Sequence, residues 1–172
     1  MPSSRDFRTI SPFSIDTVGI SGRYIGKITY WKLYVIENLY RIILHSILSL
    51  QLDPTDWWSQ ATDENIQGRA NRHRRDYLVC PWHTRPGQHD VYYIGLRDLN
   101  EIARANAEKL RVVIPKIDDF IVRVEMILLS RNVVAHMNFL NITDRNRVDI
   151  IYKDFKILTK VVQENIVLQV PQ

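Results

Sequence analysis

Apolar residues recur at three- and four-residue spacing along most of the chain, which is the pattern of amphipathic helices. The first segment of this kind runs from about Tyr24 to Leu50, and one side of it carries a polar stripe of Glu37, Asn38, Arg41 and His45. Because the rest of the segment is largely apolar, we expect it to pack against a core. His45 is then either a helix-surface residue or part of a buried polar network.

Turn and capping residues divide the remainder of the chain into further helices. We predict helices from Trp57 to about Asp76, from Leu96 to Leu110, from about Lys116 to Met137, and from a cap at Thr143 or Asp144 to about Asn165. Cys80 to Gln88 contains two prolines and a glycine, so a loop is predicted there. No hairpin signal or internal repeat is present, and the expected fold is an all-α, up-and-down bundle of four to five helices.

With 172 residues, the chain is expected to form one domain that can bury a core without disulfides. Residues 1–22 are polar and contain Pro2, Pro12, Gly19 and Gly22, which predicts a flexible or loosely docked arm. Residues 23–172 are expected to form a single helical domain.

The net charge of +4 suits a polyanionic partner without demanding one. Cys80 is the only cysteine, which excludes an internal disulfide and favours a reducing compartment. The segment from Met1 to Ser14 has no apolar stretch of the kind found in secretory signals. Leu33 to Leu50 is the most apolar stretch, but the four residues of the polar stripe interrupt it, and a membrane span would tolerate them poorly. We therefore expect a cytoplasmic protein without a membrane span.

The candidate chemistry lies at the end of the fourth predicted helix, where Arg131, Asn132 and His136 form an R-N-x-x-x-H motif. A guanidinium can clamp a phosphate through two hydrogen bonds, and an imidazole can carry a proton near neutral pH. Five-residue spacing leaves Arg131 and His136 roughly 140° apart on an ideal helix. They can meet at one phosphate only if the helix ends or bends there, or if a second copy completes the site. The alternative is an arginine favoured by the helix dipole and an unrelated surface histidine.

Three segments together resemble the HEPN superfamily, in a branch found in bacterial defence proteins and beside a eukaryotic nuclear endoribonuclease. They are the stretch from Ile36 to Arg41 (Ile-Glu-Asn-Leu-Tyr-Arg), the Asp56-Trp57-Trp58 that follows it, and the motif from Arg131 to His136. The resemblance covers roughly residues 24–163, and the R-x4-H motif is its most specific part.

The resemblance implies a helical bundle that forms a homodimer in which two motifs face each other across a cleft. Many members are metal-independent endoribonucleases, often toxins or abortive-infection effectors, and others are inactive binding modules. By this resemblance Arg131 would clamp the scissile phosphate of RNA, Asn132 would position the arginine or the imidazole, and His136 would be the general acid or base. Cleavage would leave a 2′,3′-cyclic phosphate. Glu37, Asn38 and Arg41 would be supporting polar groups from the first helix.

One position departs from the family's pattern in an informative way. Some members that are paired with a nucleotidyltransferase antitoxin carry a tyrosine two residues beyond the histidine, and AMP units are attached to it. Asn138 occupies that position here, which argues against this mode of neutralisation. Another antitoxin or regulatory protein remains a possible partner.

The densest basic run consists of Arg69, Arg72, Arg74 and Arg75, with His73 among them. It could follow an RNA backbone, because phosphate neutralisation supplies most non-specific affinity, or it could be a solvated helix end. Three aromatic residues follow this run: Trp82, Tyr92 and Tyr93. They could stack on RNA bases, or they could pack in the protein core or at its rim.

Cys80, His83, His89 and Asp90 carry donor atoms suited to zinc, but their spacing matches no recurrent zinc site and offers one thiolate. The chain also lacks the glycine-rich motifs that hold nucleotides or dinucleotides. We therefore predict neither a metal nor a cofactor. The leading prediction is a metal-independent endoribonuclease of a toxin or defence system, and the alternative is a non-catalytic HEPN module that dimerises or binds RNA or a partner.

Overall fold

The computed structural model describes Asp6, Arg8 and residues 14–172, and it is all-helical over those residues, with no β-strand. The α-helices are α1 (Ile15–Ile25), α2 (Trp31–Gln51), α3 (Trp57–Ala61), α4 (Glu64–Leu78), α5 (Leu96–Ala105), α6 (Ala107–Arg111), α7 (Ile117–Glu125), α8 (Leu128–Ala135) and α9 (Ile142–Asn165). A π-helical segment, Gly26–Tyr30, joins α1 to α2, and a short 3₁₀ helix, Asp90–Tyr93, precedes α5. The predicted all-α class is confirmed, whereas a HEPN-like bundle stays a prediction.

Helix α2 lies at the centre of the core, and α9 is its main packing partner. The predicted apolar stripe of α9 is buried throughout, and it consists of Val148, Ile151, Phe155, Leu158 and Val162. The rings of Tyr40 on α2, Phe120 on α7 and Phe155 on α9 meet edge to face, with centroids 4.7 to 6.1 Å apart. This aromatic cluster ties three helices together, because each ring buries a large apolar area.

Several predicted helices are interrupted in the structure by side chains that bond to backbone groups. Thr62 is extended between α3 and α4, and Asp63 begins α4 by accepting the N–H of Ile66 at 2.8 Å. Asn106 separates α5 from α6, and its amide donates to the carbonyl of Ala61 at 2.8 Å. The predicted long helices are therefore pairs of shorter ones, since these polar side chains compete with the helical hydrogen bonds.

The N-terminal boundary differs from the prediction, because α1 begins at Ile15 and not near Tyr24. Ser14 and Thr17 form a capping box, in which the Ser14 hydroxyl accepts the Thr17 N–H at 3.2 Å. This cap starts a helix despite the polar, glycine-containing sequence. Residues 15–22 of the predicted arm are therefore helical, and the rest of that arm, apart from Asp6, Arg8 and Ser14, lies outside the described residues.

The continuous helix Ile15–Gln51 is 37 residues long, and its most apolar 18-residue window has a mean hydropathy of 1.2, which is long and apolar enough to cross a membrane. However, 61% of its most apolar window is buried inside the protein. The core helix of a soluble protein has the same properties, so the structure is compatible with a soluble protein.

Candidate functional site

Helix α8 ends at the motif through a hydrogen-bonded C-terminal turn. The N–H of Met137 donates to the Val134 carbonyl at 2.9 Å, and the N–H of Asn138 donates to the Val133 carbonyl at 3.0 Å. This is the Schellman arrangement, and it requires a left-handed residue after the cap. Met137 takes that conformation with a φ of 57°, which leaves His136 as the cap itself.

Arg131 is half-buried, and only one nitrogen of its guanidinium forms a hydrogen bond within the described structure. Its Nε donates to Glu37 Oε2 on α2 at 3.2 Å. The two terminal amino groups of Arg131 form no hydrogen bond with any residue that the structure describes, and they are not sealed from solvent. The Glu37 carboxylate orients the Arg131 side chain, and the two terminal nitrogens of the guanidinium stay free. The guanidinium can therefore bind a further anion.

Arg41 anchors Glu37 from the other side. Arg41 is only 7% exposed, and its guanidinium donates to the carbonyl oxygens of Val91 at 3.1 Å and Ile94 at 2.8 Å. Arg41 also donates to Glu37 Oε1 at 2.6 Å and to Asn38 Oδ1 at 3.2 Å. The predicted supporting residues Glu37, Asn38 and Arg41 therefore form one network, and Glu37 links it to Arg131.

Two adjacent pockets open at this network, with volumes of about 810 and 600 Å³. They share a wall formed by Glu37, Arg41, Pro86, Tyr92 and Arg131. We call the larger one the tyrosine pocket, because Tyr30, Tyr34 and Tyr92 line it together with Asn38, Gln88 and the segment 170–172. The smaller one is the Asp76 pocket, which His73, Asp76, Tyr77, Tyr93 and Gly95 also line. Arg131 therefore stands at the boundary of two cavities.

His136 and Asn132 occupy a different position from Arg131. Both are exposed, and neither lines the tyrosine pocket or the Asp76 pocket. They are connected through the backbone, where the His136 N–H donates to the Asn132 carbonyl at 3.0 Å, and their side chains share no hydrogen bond. The expected contact between the Asn132 amide and the imidazole is therefore not formed. Within one chain, the end of α8 does not bring Arg131 and His136 into the same cavity.

The basic run on α4 divides into paired and unpaired arginines. Arg69 contacts Asp98 at 2.7 Å, and Arg74 contacts Asp90 at 2.8 Å. Arg72 and Arg75 are exposed and form no ion pair with any described acidic group. Arg69 and Arg74 thus help to hold α4 against the 3₁₀ helix and α5, while Arg72 and Arg75 remain available to a polyanion.

A second polar cluster on α2 was only partly anticipated from the sequence. The ring of His45 lies 5.5 Å from those of His89 and Trp57, and Trp57 stacks on His89 at 5.2 Å. Burial lowers the pKa of His45, while burial together with the neighbouring His45 lowers the pKa of His89 to about 4. Trp57 Nε1 is buried and has no acceptor in the described structure. His45 therefore belongs to a buried network, which was one of its two predicted interpretations.

Two of the four residues considered for zinc have other partners. His89 Nδ1 accepts the Val91 N–H at 3.1 Å, and Asp90 pairs with Arg74. Among the described residues, no group of three or more histidine, cysteine, aspartate or glutamate side chains is arranged to hold a metal ion.

The three aromatic candidates for base stacking have separate positions. Tyr93 is buried and its hydroxyl donates to the Gly87 carbonyl at 2.8 Å, whereas Trp82 is exposed in the loop. Tyr92 is half-buried in the shared pocket wall, and its hydroxyl donates to the Pro171 carbonyl at 3.0 Å. Sequence reasoning missed Tyr34 and Asp76 as pocket residues. Their helical spacing from Asn38 and Arg72 was visible, but the cavity depends on tertiary packing.

Comparisons of the chain with protein-family models, curated proteins and solved structures found no match. The likeness to HEPN domains therefore depends on the motif residues and on their placement in an all-α protein.

Proposed function

We propose that this chain is a metal-independent endoribonuclease of a toxin or abortive-infection system, acting in antiphage defence in the cytoplasm. The R-N-x-x-x-H motif would cleave RNA at the cleft of a homodimer. An antitoxin or regulatory protein would be its natural partner, since an unrestrained ribonuclease would damage its own cell.

The observation that carries this proposal is the half-satisfied guanidinium of Arg131. Glu37 fixes its Nε, and both terminal amino groups remain free at the boundary of two pockets. A phosphate oxyanion is the natural ligand for such a fork, because two parallel charge-assisted hydrogen bonds fix its orientation. In this proposal Arg131 holds the scissile phosphate and stabilises the charge that develops on it.

His136 would act as the proton-transfer group, with a second copy of the chain completing the site. It directly follows Val134 and Ala135 in the chain, and those two residues line the tyrosine pocket. Exposed apolar side chains on the same part of the chain, Leu129 at 73% and Met137 at 78%, offer surface for a two-fold contact.

The proposed reaction needs one base and one acid. The RNA 2′-hydroxyl attacks phosphorus and gives its proton to His136, while the 5′-oxygen leaves and takes a proton from His136 of the second copy. The bond from phosphorus to the 2′-oxygen forms as the bond to the 5′-oxygen breaks. The products are a 2′,3′-cyclic phosphate and a 5′-hydroxyl, and each histidine supplies proton transfer near neutral pH.

The test is RNA cleavage by purified wild type and His136→Ala protein. We expect a loss of roughly a hundredfold or more, because general acid–base catalysis contributes about that much. His83→Ala is the matched control, since His83 is exposed and lines neither pocket. Unchanged cleavage by correctly folded His136→Ala protein would contradict the catalytic role.

The role of Arg131 can be tested in the same assay, and the dimer can be tested by light scattering on the same purified protein. Arg131→Lys should be nearly as inactive as Arg131→Ala, because lysine keeps the charge but loses the planar fork. Light scattering should show a dimer at micromolar concentration. A fully active lysine variant would contradict bidentate clamping, and a fully active monomer would contradict the shared site.

A non-catalytic HEPN module is the second candidate, and one observation favours it. Within one chain, the side chains of Asn132 and His136 contact neither each other nor the pockets beside Arg131. In that case the motif would be a polar interface for dimerisation or for binding RNA or a partner. Expression of wild type and of His136→Ala in the same cells separates the two, since only a catalytic toxin loses its toxicity with the imidazole.

A further inference from the structure

The boundary between the two pockets carries a net positive charge. Arg41 and Arg131 share the single carboxylate of Glu37, with one guanidinium on each oxygen. Arg41 uses four of its five N–H donors in this network, whereas Arg131 uses only one, so most of the unsatisfied donors belong to Arg131. A phosphate at this position would therefore bind to Arg131, with a pocket on each side of it.

Each pocket is large enough for one nucleoside. Their volumes of about 810 and 600 Å³ fall within the range of roughly 300–1,000 Å³ that is usual for small-ligand sites. A phosphodiester held at the shared wall has a nucleoside attached to each of its two bridging oxygens. The geometry thus matches one nucleoside in each pocket.

The lining of the tyrosine pocket suits the flat face of a base. Tyr34 is 62% exposed and Tyr30 is 55% exposed, although both line this cavity. Exposed aromatic rings beside a phosphate site are typical of single-strand binding, because every base has a face that can stack. Asn38 is held in place beside these rings, since its amide donates to the Tyr34 carbonyl and accepts a hydrogen bond from Arg41.

The Asp76 pocket has a different chemistry. Asp76 is exposed and forms no ion pair with any residue of the described structure. A free carboxylate repels phosphate, but it accepts hydrogen bonds from exocyclic amino groups such as that of cytosine. His73 cannot provide the same acceptor at Nδ1, which donates to the Tyr93 carbonyl at 2.9 Å.

We propose that the two pockets are base subsites on either side of the phosphate held by Arg131, one stacking on Tyr34 and the other selecting an amino-bearing base through Asp76. This inference rests on the proposed function and gives its substrate class, which is single-stranded RNA with two neighbouring bases unstacked. A duplex does not fit, because its bases are stacked and paired.

The probe is a set of fluorescein-labelled pentanucleotides with 2′-O-methyl ribose, which lack the attacking hydroxyl and survive a ribonuclease of the proposed kind. Anisotropy should show that Tyr34→Ala weakens binding by about tenfold, in line with the loss of one stacked base. Tyr34→Phe keeps the ring and should bind like wild type. Val122→Ala is the control, because Val122 is 58% exposed, lines neither pocket and lies outside the proposed two-fold contact.

Base selection is tested by comparing oligocytidine with oligouridine. Wild type should prefer cytidine by about fivefold, and Asp76→Ala should remove that preference, since one polar base contact is lost. Asp119→Ala is the matched control, because Asp119 is an exposed helical aspartate outside both pockets. Binding that depends on Arg131 but is unchanged by Tyr34→Ala and Asp76→Ala would overturn the subsites. So would the absence of binding by wild type.

Failure of the subsite proposal can be distinguished from failure of the proposed function. The expected binding pattern with no cleavage of unmodified RNA would support the subsites and contradict the ribonuclease. Cleavage of unmodified RNA that is insensitive to Tyr34 and Asp76 would support the ribonuclease and contradict the subsites.

Discussion

The polar stripe of α2 has two ends that differ in chemistry. At one end Glu37, Asn38 and Arg41 form a charged network that reaches Arg131 and opens into the pockets. One turn further along, His45 is buried beside the rings of Trp57 and His89, and burial lowers its pKa. The same helix face is therefore charged and open at one end, and neutral and enclosed at the other.

The difference comes from the groups on other segments of the chain that each residue contacts. Arg41 meets the carbonyl oxygens of Val91 and Ile94, which can stabilise a buried cation. His45 meets aromatic rings and a second histidine, which favour its neutral form. Polar residues at helical spacing thus define a face, but their partners in other segments decide whether that face carries charge.

Removing Arg41 should have the largest effect on stability. Arg41→Ala leaves two buried carbonyls unpaired and takes away the cation that fixes Glu37, so we expect a loss of about 3–5 kcal/mol in the free energy of unfolding. Urea denaturation measures it. Arg131→Ala is the comparison, since this half-exposed arginine should contribute no more than about 1 kcal/mol. Equal losses in the two variants would show that the charged end is not anchored through Arg41.

Gly87→Ala should disturb the pocket wall with a smaller effect. A Cβ at Gly87 would lie 2.4 Å from Cδ2 of Tyr92, so the ring must move and its bond to Pro171 must weaken. We expect a loss of about 1–3 kcal/mol, as in overpacked cores. Gly68→Ala in α4 is the control, because it meets no atom within 4 Å and should stabilise the helix by about 1 kcal/mol. A stable Gly87→Ala variant with intact RNA binding would contradict the role of Tyr92 as a wall.

Acid should selectively weaken the neutral end of the stripe. Burial and His45 lower the pKa of His89 to about 4; Asp90 has a smaller effect that raises this pKa, and Arg74 has a smaller effect that lowers it. Unfolding therefore takes up a proton between about pH 4 and the ordinary histidine value near 6.5. Stability that is fully present above pH 6.5 should fall as the pH drops through this window, by about 1–2 kcal/mol once the partial exposure of His89 is considered.

The measurement is denaturant unfolding at pH 7 and pH 4.5. In His89→Asn an amide oxygen replaces Nδ1 as the acceptor for the Val91 N–H, so the pH dependence should shrink without loss of the cap. His83→Asn changes an exposed histidine and should keep the wild-type pH dependence. If wild type, His89→Asn and His83→Asn all lost the same stability between pH 7 and pH 4.5, the buried histidines would not be the cause of the loss.

Met137→Gly should give the smallest change, and in the opposite direction. Met137 holds a φ of 57° at the end of α8, a conformation that costs little for glycine, so stability should rise by about 0.5–1 kcal/mol. Thermal or urea unfolding would show the increase equally at pH 7 and pH 4.5, since neither end of the stripe is involved. A loss of stability would mean that the exposed methionine side chain makes a contact that matters more than the backbone strain.

Local patterns predicted the helices better than they predicted the breaks. The stripe of α9 could be recognised because its residues repeat within one helix and all face the core. The break before α8 was missed, because neither Met126 nor Ile127 is a glycine or a proline. The start of α1 was missed as well, although Ser14 and Thr17 carry the spacing of a capping box.

The sequence indicated candidate site residues, but it did not indicate how they are arranged relative to each other. Glu37 and Arg131 both stood out in the sequence, yet they are 94 positions apart and their contact depends on how α2 packs near α8. The sequence also could not show that Arg131 would line both pockets and His136 neither. These outcomes depend on long-range packing, which periodicity within a helix does not encode.

The π-helical segment Gly26–Tyr30 has a consequence for how the chain can evolve. A π segment is equivalent to an α-helix that has gained one residue, so deleting a residue there would turn α1 by about 100° relative to α2. Tyr24 would then lose its stacking on Phe139 and its bond from Arg145. Helix α2 and its pockets would keep their register. A single-codon insertion or deletion at this joint could therefore re-aim the N-terminal helix while leaving the Arg131 network in place.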